Sequence, residues 1–469
     1  MRRQRSSYRR GLAAALLMLL GAALPAGAQS QPHSTRLRNR LTVITKEVRS
    51  SNVVAIDVFV RGGAAVEPAD LPGLAGFTQR MLLRGTTRRT AAQIREPIER
   101  LGGTLHARAD HDYSQILLLS SAQTLEEGLE LLADVVRNPR FDPQEIEQER
   151  EQTLAALRRA ADDPNWLLQH TLAEILYASG PYARPLTGTP ESVQRINRQS
   201  LVGFHRMYYT PENLVVVVVG NIDRATAEEK VERYFGDLPA SGRPPVAPTT
   251  AVLRPLSDAQ CTVVKERDLS GAADPSDGAL AHLLVGFPVG PITREEYPVL
   301  LVLNSLMGGG MGSRLLQEVR ERQGLAYHVG SYYAEYAGAG YLGAFVKTWP
   351  ERAPLDNPYQ REMMLERAKT ALLEQFDWVR DHPVSDAELE RARRYTIGTF
   401  IYDHQRTLNQ ARWLGWFELS GLGYRYDEEL PQEVAKVTKE QVQALARKYL
   451  TRYALALVVP QPQQQSLHR

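Results

Sequence analysis

The apolar and polar positions of this chain fall into short segments with two different periods. Val53 to Val60 (VVAIDVFV) alternates as a strand does, and Leu214 to Val219 is an unbroken apolar run, which predicts a strand covered on both faces. His106 to Leu119 reads as a strand pair. Helical spacing runs over Gly73 to Leu83, where Arg84-Gly85-Thr86 supplies a basic last turn and a stop. The same spacing covers Ala91 to Leu101, Leu125 to Arg137, Pro143 to Ala161, Trp166 to Tyr177 and Ser200 to Tyr208. Strands and helices interleaved in this way predict an α+β fold.

The pattern then repeats. Val193 to Val218 aligns without a gap on Val434 to Val459, an offset of 241, pairing Arg206 with Arg447, Tyr208 with Tyr449 and Leu214 with Leu455. RNPRFDPQEIEQER from Arg137 matches RDHPVSDAELERAR from Arg380 at an offset of 243. Two matches in chain order at nearly one offset indicate duplication. Between the copies, RPPVAPTTAVLRP (Arg243 to Pro255) carries four prolines and no helical period, the composition of a semi-rigid linker. The expected organisation is two homologous domains of mixed sheet plus helices, 37–242 and 256–460, joined by the Pro-rich linker 243–255, with a polar tail at 461–469.

Composition narrows the class. The 469 residues are 43% hydrophobic and 23% charged, ordinary globular values. The N-terminus has a basic segment (MRRQRSSYRR), a short apolar run from Gly11 to Leu24 and the small residues Ala26-Gly27-Ala28, the three parts of a cleavable signal peptide. Cleavage after Ala28 implies a periplasmic or secreted protein with no stable membrane span. It also removes Arg2, Arg3, Arg5, Arg9 and Arg10, so that 51 basic residues face 54 acidic ones, a formal −3 in place of +2. Nothing in that balance favours nucleic acid. Cys261 is the single cysteine, so no intramolecular disulfide can form, and its setting (CTVVKE) reads as a buried strand thiol.

The segment GLAGFTQRMLLRGT, Gly73 to Thr86, resembles the inverted zinc motif of the pitrilysin/insulinase metallopeptidases, usually GLAHFLEHMLFKGT. Gly73, Leu74, Ala75, Phe77, Met81, Leu82, Gly85 and Thr86 stand in register. In that family two His at i and i+4 on one helix face hold Zn²⁺, and a Glu at i+3 activates water. Here the three positions are Gly76, Gln79 and Arg80, and the position of the family's third ligand, a Glu, is Ala156. Glycine offers no donor, glutamine is no base, and a guanidinium repels a cation. No metal ligand and no catalytic residue is therefore expected in this chain alone. Glu149, at a neighbouring acidic position of the family's helix, is expected to pair with a base such as Arg80.

No substitute site replaces it. The cluster HARADHD (His106, Asp110, His111, Asp112) holds ligand types at close spacing but reads as a solvated strand turn, and His328 reads as a partly buried structural histidine or a substrate contact. GMGSR around Ser313 is not a G-x-S-x-G elbow. Gly308, Gly309, Gly310 and Gly312 lack the Lys-Ser/Thr ending of a phosphate loop.

Leu306 to Val329 (LMGGGMGSRLLQEVRERQGLAYHV) resembles the family's C-terminal signature: a glycine-rich loop, a helix, and an Arg followed seven residues later by a Tyr, here Arg320 and Tyr327. Gly324 stands where the helix should end. The resemblance implies a LuxS/metallohydrolase-like duplicated fold. It also implies that Arg320 and Tyr327 bind substrate backbone beside a zinc site. In the non-catalytic alpha subunit of the mitochondrial processing peptidase, a glycine-rich loop helps to take in substrate, which extends the expectation to these four glycines. The combination implies a substrate-binding subunit of an exported zinc peptidase, with Zn²⁺ in a homologous partner and peptide as substrate. A peptide-holding scaffold without a role in proteolysis is the alternative.

Overall fold

The computed structural model describes residues 31–100, 102–177, 180–251, 253–256, 260–267, 280–349 and 358–460. The signal peptide and the polar tail read from the sequence lie outside them. Six strands form the first sheet: β1 (His33–Arg36), β2 (Thr42–Glu47), β3 (Val53–Arg61), β4 (Thr104–Ala109), β5 (Tyr113–Ser121) and β6 (Leu214–Gly220), in the order β1-β2-β6-β3-β5-β4. Five form the second: β7 (Gln260–Arg267), β8 (Ala281–Pro288), β9 (His328–Ala334), β10 (Tyr341–Thr348) and β11 (Tyr453–Pro460), in the order β7-β11-β8-β10-β9. Leaving out β1, the two orders are the same. So are the pairings: β2 with β6 and β7 with β11 are parallel, and the remaining pairs are antiparallel. The duplication seen in sequence is thus a duplication of topology. Cys261 lies in β7, a strand as its setting predicts.

Six helices place the site: α1 (Leu74–Leu82), α2 (Pro143–Ala160), α3 (Pro164–Tyr177), α4 (Tyr297–Gly308), α5 (Asp386–Asp403) and α6 (Thr407–Ser420). The bounds of α2 and α5 differ by 243 residues, and so do those of α3 and α6. Both α2 and α5 start at a capping side chain: Asp142 accepts from Gln144 N, and Ser385 forms a capping box with Glu388.

The halves exchange helices. α3, from the first half, lies on β8 and β11 of the second sheet, and α6, from the second half, lies on β3 and β6 of the first. On the first sheet, Val54, Ile56, Val58, Val216 and Val218 face that half's own helices. Ala55, Phe59, Val215, Val217 and Val219 share a core with Leu414 and Phe417 of α6. On the second sheet, Leu284, Ala454, Ala456 and Val458 pack on Leu168, Leu172 and Leu176 of α3. Each sheet is therefore covered on both faces, which is why β6 (LVVVVVG) and β8 (AHLLVGFP) have no polar face.

Candidate functional site

Helix α1 carries the degenerate motif. Its first N–H groups meet a carboxylate from outside the helix: Glu67 accepts from Gly73 N at 2.9 Å and Ala75 N at 2.6 Å. Burial outweighs those bonds and raises the Glu67 carboxyl to about 8.

The motif positions form a closed polar knot. Arg80 Nε donates to Glu149 Oε1 and its Nη2 to Thr153 Oγ1 at 3.0 Å, so the expected pairing of Arg80 with Glu149 is present. Arg84 Nη2 donates to Glu149 Oε2 at 2.8 Å. One buried carboxylate, its side chain 5% exposed, thus holds two guanidiniums and ties α1 to α2. A Cβ built on Gly76 would lie 3.0 Å from Leu186 O and 3.4 Å from Arg80 Nη1, so the arginine folds over the space a histidine there would need. Gln79 is fully buried, and its Nε2 donates to Tyr209 Oη at 2.9 Å while its Oε1 meets no partner. Ala156 is exposed on α2. Sequence reasoning missed the part played by Arg84, whose spacing of four from Arg80 was the available signal.

The HARADHD segment departs from the solvated turn expected of it. His106 is exposed on β4, whereas His111, between β4 and β5, is buried edge-on to Tyr182 and Tyr336. Asp112 accepts from Tyr182 Oη and, at 2.8 Å, from Ala337 N of the other half. The cause is tertiary, because this turn is clamped between the halves. Burial lowers His111 to about 4 and raises Asp112 to about 6. His328 opens the edge strand β9 and is exposed, not partly buried.

The C-terminal signature is differently disposed. The glycine-rich loop follows α4, and each of its glycines adjoins a close neighbour: a Cβ on Gly308 would meet Ser331 N at 2.0 Å and one on Gly309 Ser305 Cα at 2.6 Å. Tyr395 and Arg391 of α5 crowd Gly310 and Gly312 in the same way, at 2.5 Å and 2.8 Å. The helix expected after the loop is a π-helix, Leu316–Arg322, closed by Gly324 at φ 62° with Leu325 N donating to Val319 O at 3.0 Å. Arg320 is 42% exposed and meets Glu321 at 3.7 Å. Tyr327 is 45% exposed, anchored by its backbone N to Lys347 O at 2.8 Å, with His328 and Trp349 edge-on to its ring. Among the described residues no hydrogen bond, ion pair or ring contact joins Arg320 to Tyr327, or either of them to the motif on α1.

Residues 42–190 match the family model for insulinase (peptidase family M16), and residues 195–395 match the model for the peptidase M16 inactive domain. An uncharacterised zinc protease of Mycobacterium tuberculosis is 30% identical over 444 residues, 94% of this chain and 96% of the relative. This chain belongs to the M16 family. The uncharacterised zinc protease YmxG of Bacillus subtilis is another relative, 27% identical over 90% of this chain and 97% of its own. Two solved structures share the fold at a TM-score of 0.80. A protease from Helicobacter pylori is 19% identical, covering 92% of this chain and 100% of that one; a peptidase M16 inactive domain from Pseudomonas fluorescens is 22% identical, covering 92% and 98%.

The residues at the M16 zinc positions do not fit zinc. By the motif resemblance, the positions of its two histidines and its glutamate ligand hold Gly76, Arg80 and Ala156, and a guanidinium bonded to Glu149 stands over Gly76. Among the described residues no group of three or more His, Cys, Asp or Glu is placed to hold a metal ion, and no helix is long and apolar enough to cross a membrane.

Proposed function

We propose that this M16 homologue is the non-catalytic, substrate-binding subunit of an exported zinc peptidase. Arg320 and Tyr327 would complete the active site of a homologous partner that carries zinc, and the substrates would be peptides or unfolded proteins. One contrast supports the reading. The motif on α1 is closed by its own salt bridges, whereas Arg320 and Tyr327 are about half exposed and their polar ends are nearly uncommitted. Free donors of this kind suit a substrate carbonyl, whose developing negative charge gains most from fixed hydrogen-bond donors.

The test is reconstitution. The chain alone should cleave nothing. With an M16 partner bearing the intact motif it should give chelator-sensitive peptidase activity, and Arg320→Ala or Tyr327→Phe should lower kcat by about 100-fold, the usual cost of one such donor. Full activity of both variants would leave only a scaffolding role.

A further inference from the structure

A cleft of about 280 Å³ opens where the halves meet, beside the cavity lined by Gly308 and Gly309, with which it shares Glu335, Arg412 and Trp413. Helix α6 forms one wall with Arg412, Trp413 and Trp416. The opposite wall comes from two turns, one bearing Asp110 and the other Glu335.

Donors and acceptors face each other here without meeting. Arg412 pairs with Asp403 at 3.1 Å, and among the described residues no ion pair links it to Asp110 or Glu335. Glu335 accepts from Tyr297 Oη at 2.9 Å through one oxygen, and Asp110 accepts from His111 N at 2.7 Å through one of its own. Burial raises Glu335 to about 7, against the pull of Tyr297 and of the Arg412 charge. The other nearby cation, Arg108, is committed to Gln115 and to Tyr113 Oη.

A simple anion in this cleft would face Asp110 and Glu335, and a simple cation would face Arg412. Only a ligand with both charges matches both walls. We propose that the cleft binds a small zwitterion, a free α-amino acid or a short peptide. Its carboxylate would lie on Arg412, its ammonium on Glu335 and Asp110, and its side chain against Trp413 and Tyr113. This goes beyond the role proposed for Arg320 and Tyr327 and stands or falls without it.

Calorimetric titration of the full chain with L-phenylalanine and with phenylalanyl-glycine tests the proposal. N-acetylphenylalanine and phenylalaninamide, each lacking one charge, are the controls. At least one zwitterion should bind saturably, both controls at least about tenfold more weakly, and the stronger of the two zwitterions identifies the source. Arg412→Gln should weaken binding about tenfold, and Glu335→Gln should abolish discrimination against the N-acetyl compound. If Arg412→Gln shifts the thermal midpoint, Glu335→Gln carries the test. Equal binding of blocked and free compounds, parental affinity in Glu335→Gln, or no saturable binding of either zwitterion would overturn the proposal.

Discussion

At the scale of single residues, Gly76, Gln79, Arg80 and Ala156 stand where the resemblance places the family's zinc motif, and one of them does more than leave out a ligand. Arg80 brings a positive charge to the place of a cation and finds its counter-charge in Glu149, which also holds Arg84. The partners are unequal. Loss of Arg80 leaves Glu149 paired with Arg84, whereas loss of the carboxylate leaves Arg80 without an anionic partner among the described residues and Arg84 with only the 3.6 Å contact to Glu145. Glu149→Gln should therefore cost about 2–3 kcal/mol and Arg80→Gln about 1 kcal/mol, because breaking a buried pair is expensive mainly for the charge left behind. Urea unfolding of both variants checks the order, and a larger loss in Arg80→Gln would contradict it. The Arg80–Glu149 contact was expected from the family resemblance, which put Glu149 at an acidic position near the motif. That Arg80 also covers Gly76 was not, because it depends on the Leu186 segment lying against α1.

At the scale of elements, the exchanged helices are where the copies diverge in packing. Leu172 of α3 sits against Gly286 of β8, while its counterpart 243 residues on, Gly415 of α6, sits under Phe59 of β3. In one half the helix supplies the bulk and in the other the strand does. A Cβ on Gly415 would come within 2.1 Å of the Phe59 ring, which is fully buried and has nowhere to move. Gly415→Ala should lose about 2–3 kcal/mol by overpacking, although alanine is the better helix former. Gly415→Ala combined with Phe59→Leu should recover part of that loss. A thermal midpoint raised by Gly415→Ala alone would refute the packing argument. The offset of 243 showed that these helices correspond; it could not show that each crosses to the other sheet.

The whole molecule closes over several carboxyl groups. Burial raises Asp57 and Glu67 to about 8, Glu335 to about 7 and Asp112 to about 6. The folded chain thus keeps protons that the unfolded chain releases near pH 4, so these groups stabilise the fold fully below about pH 4 and progressively less as the pH rises through 6 to 8. His111 and His205, both lowered to about 4, act in the opposite sense: their contribution is full above about pH 6.5 and fades as the pH falls towards 4. Four carboxyls outweigh two imidazoles, so the unfolding free energy should decline from about pH 5.5 to about 8.5. Asp57→Asn should flatten that slope. Urea midpoints across the interval test this, and a midpoint that rises with pH would contradict it.

Strands β3 to β6, helices α1 to α3 of the first half and the duplication follow from apolar period and offset, because each is a local property of the chain or a comparison of one segment with another. Tertiary structure alone decided that α3 and α6 change sheets, that His111 of the HARADHD turn is buried, that one carboxylate holds two arginines, and that the glycine loop packs against α5. Each of those depends on which surfaces meet across 65 residues or more. Burial and charge pairing at such contacts are set by the folded arrangement and leave no local period to read.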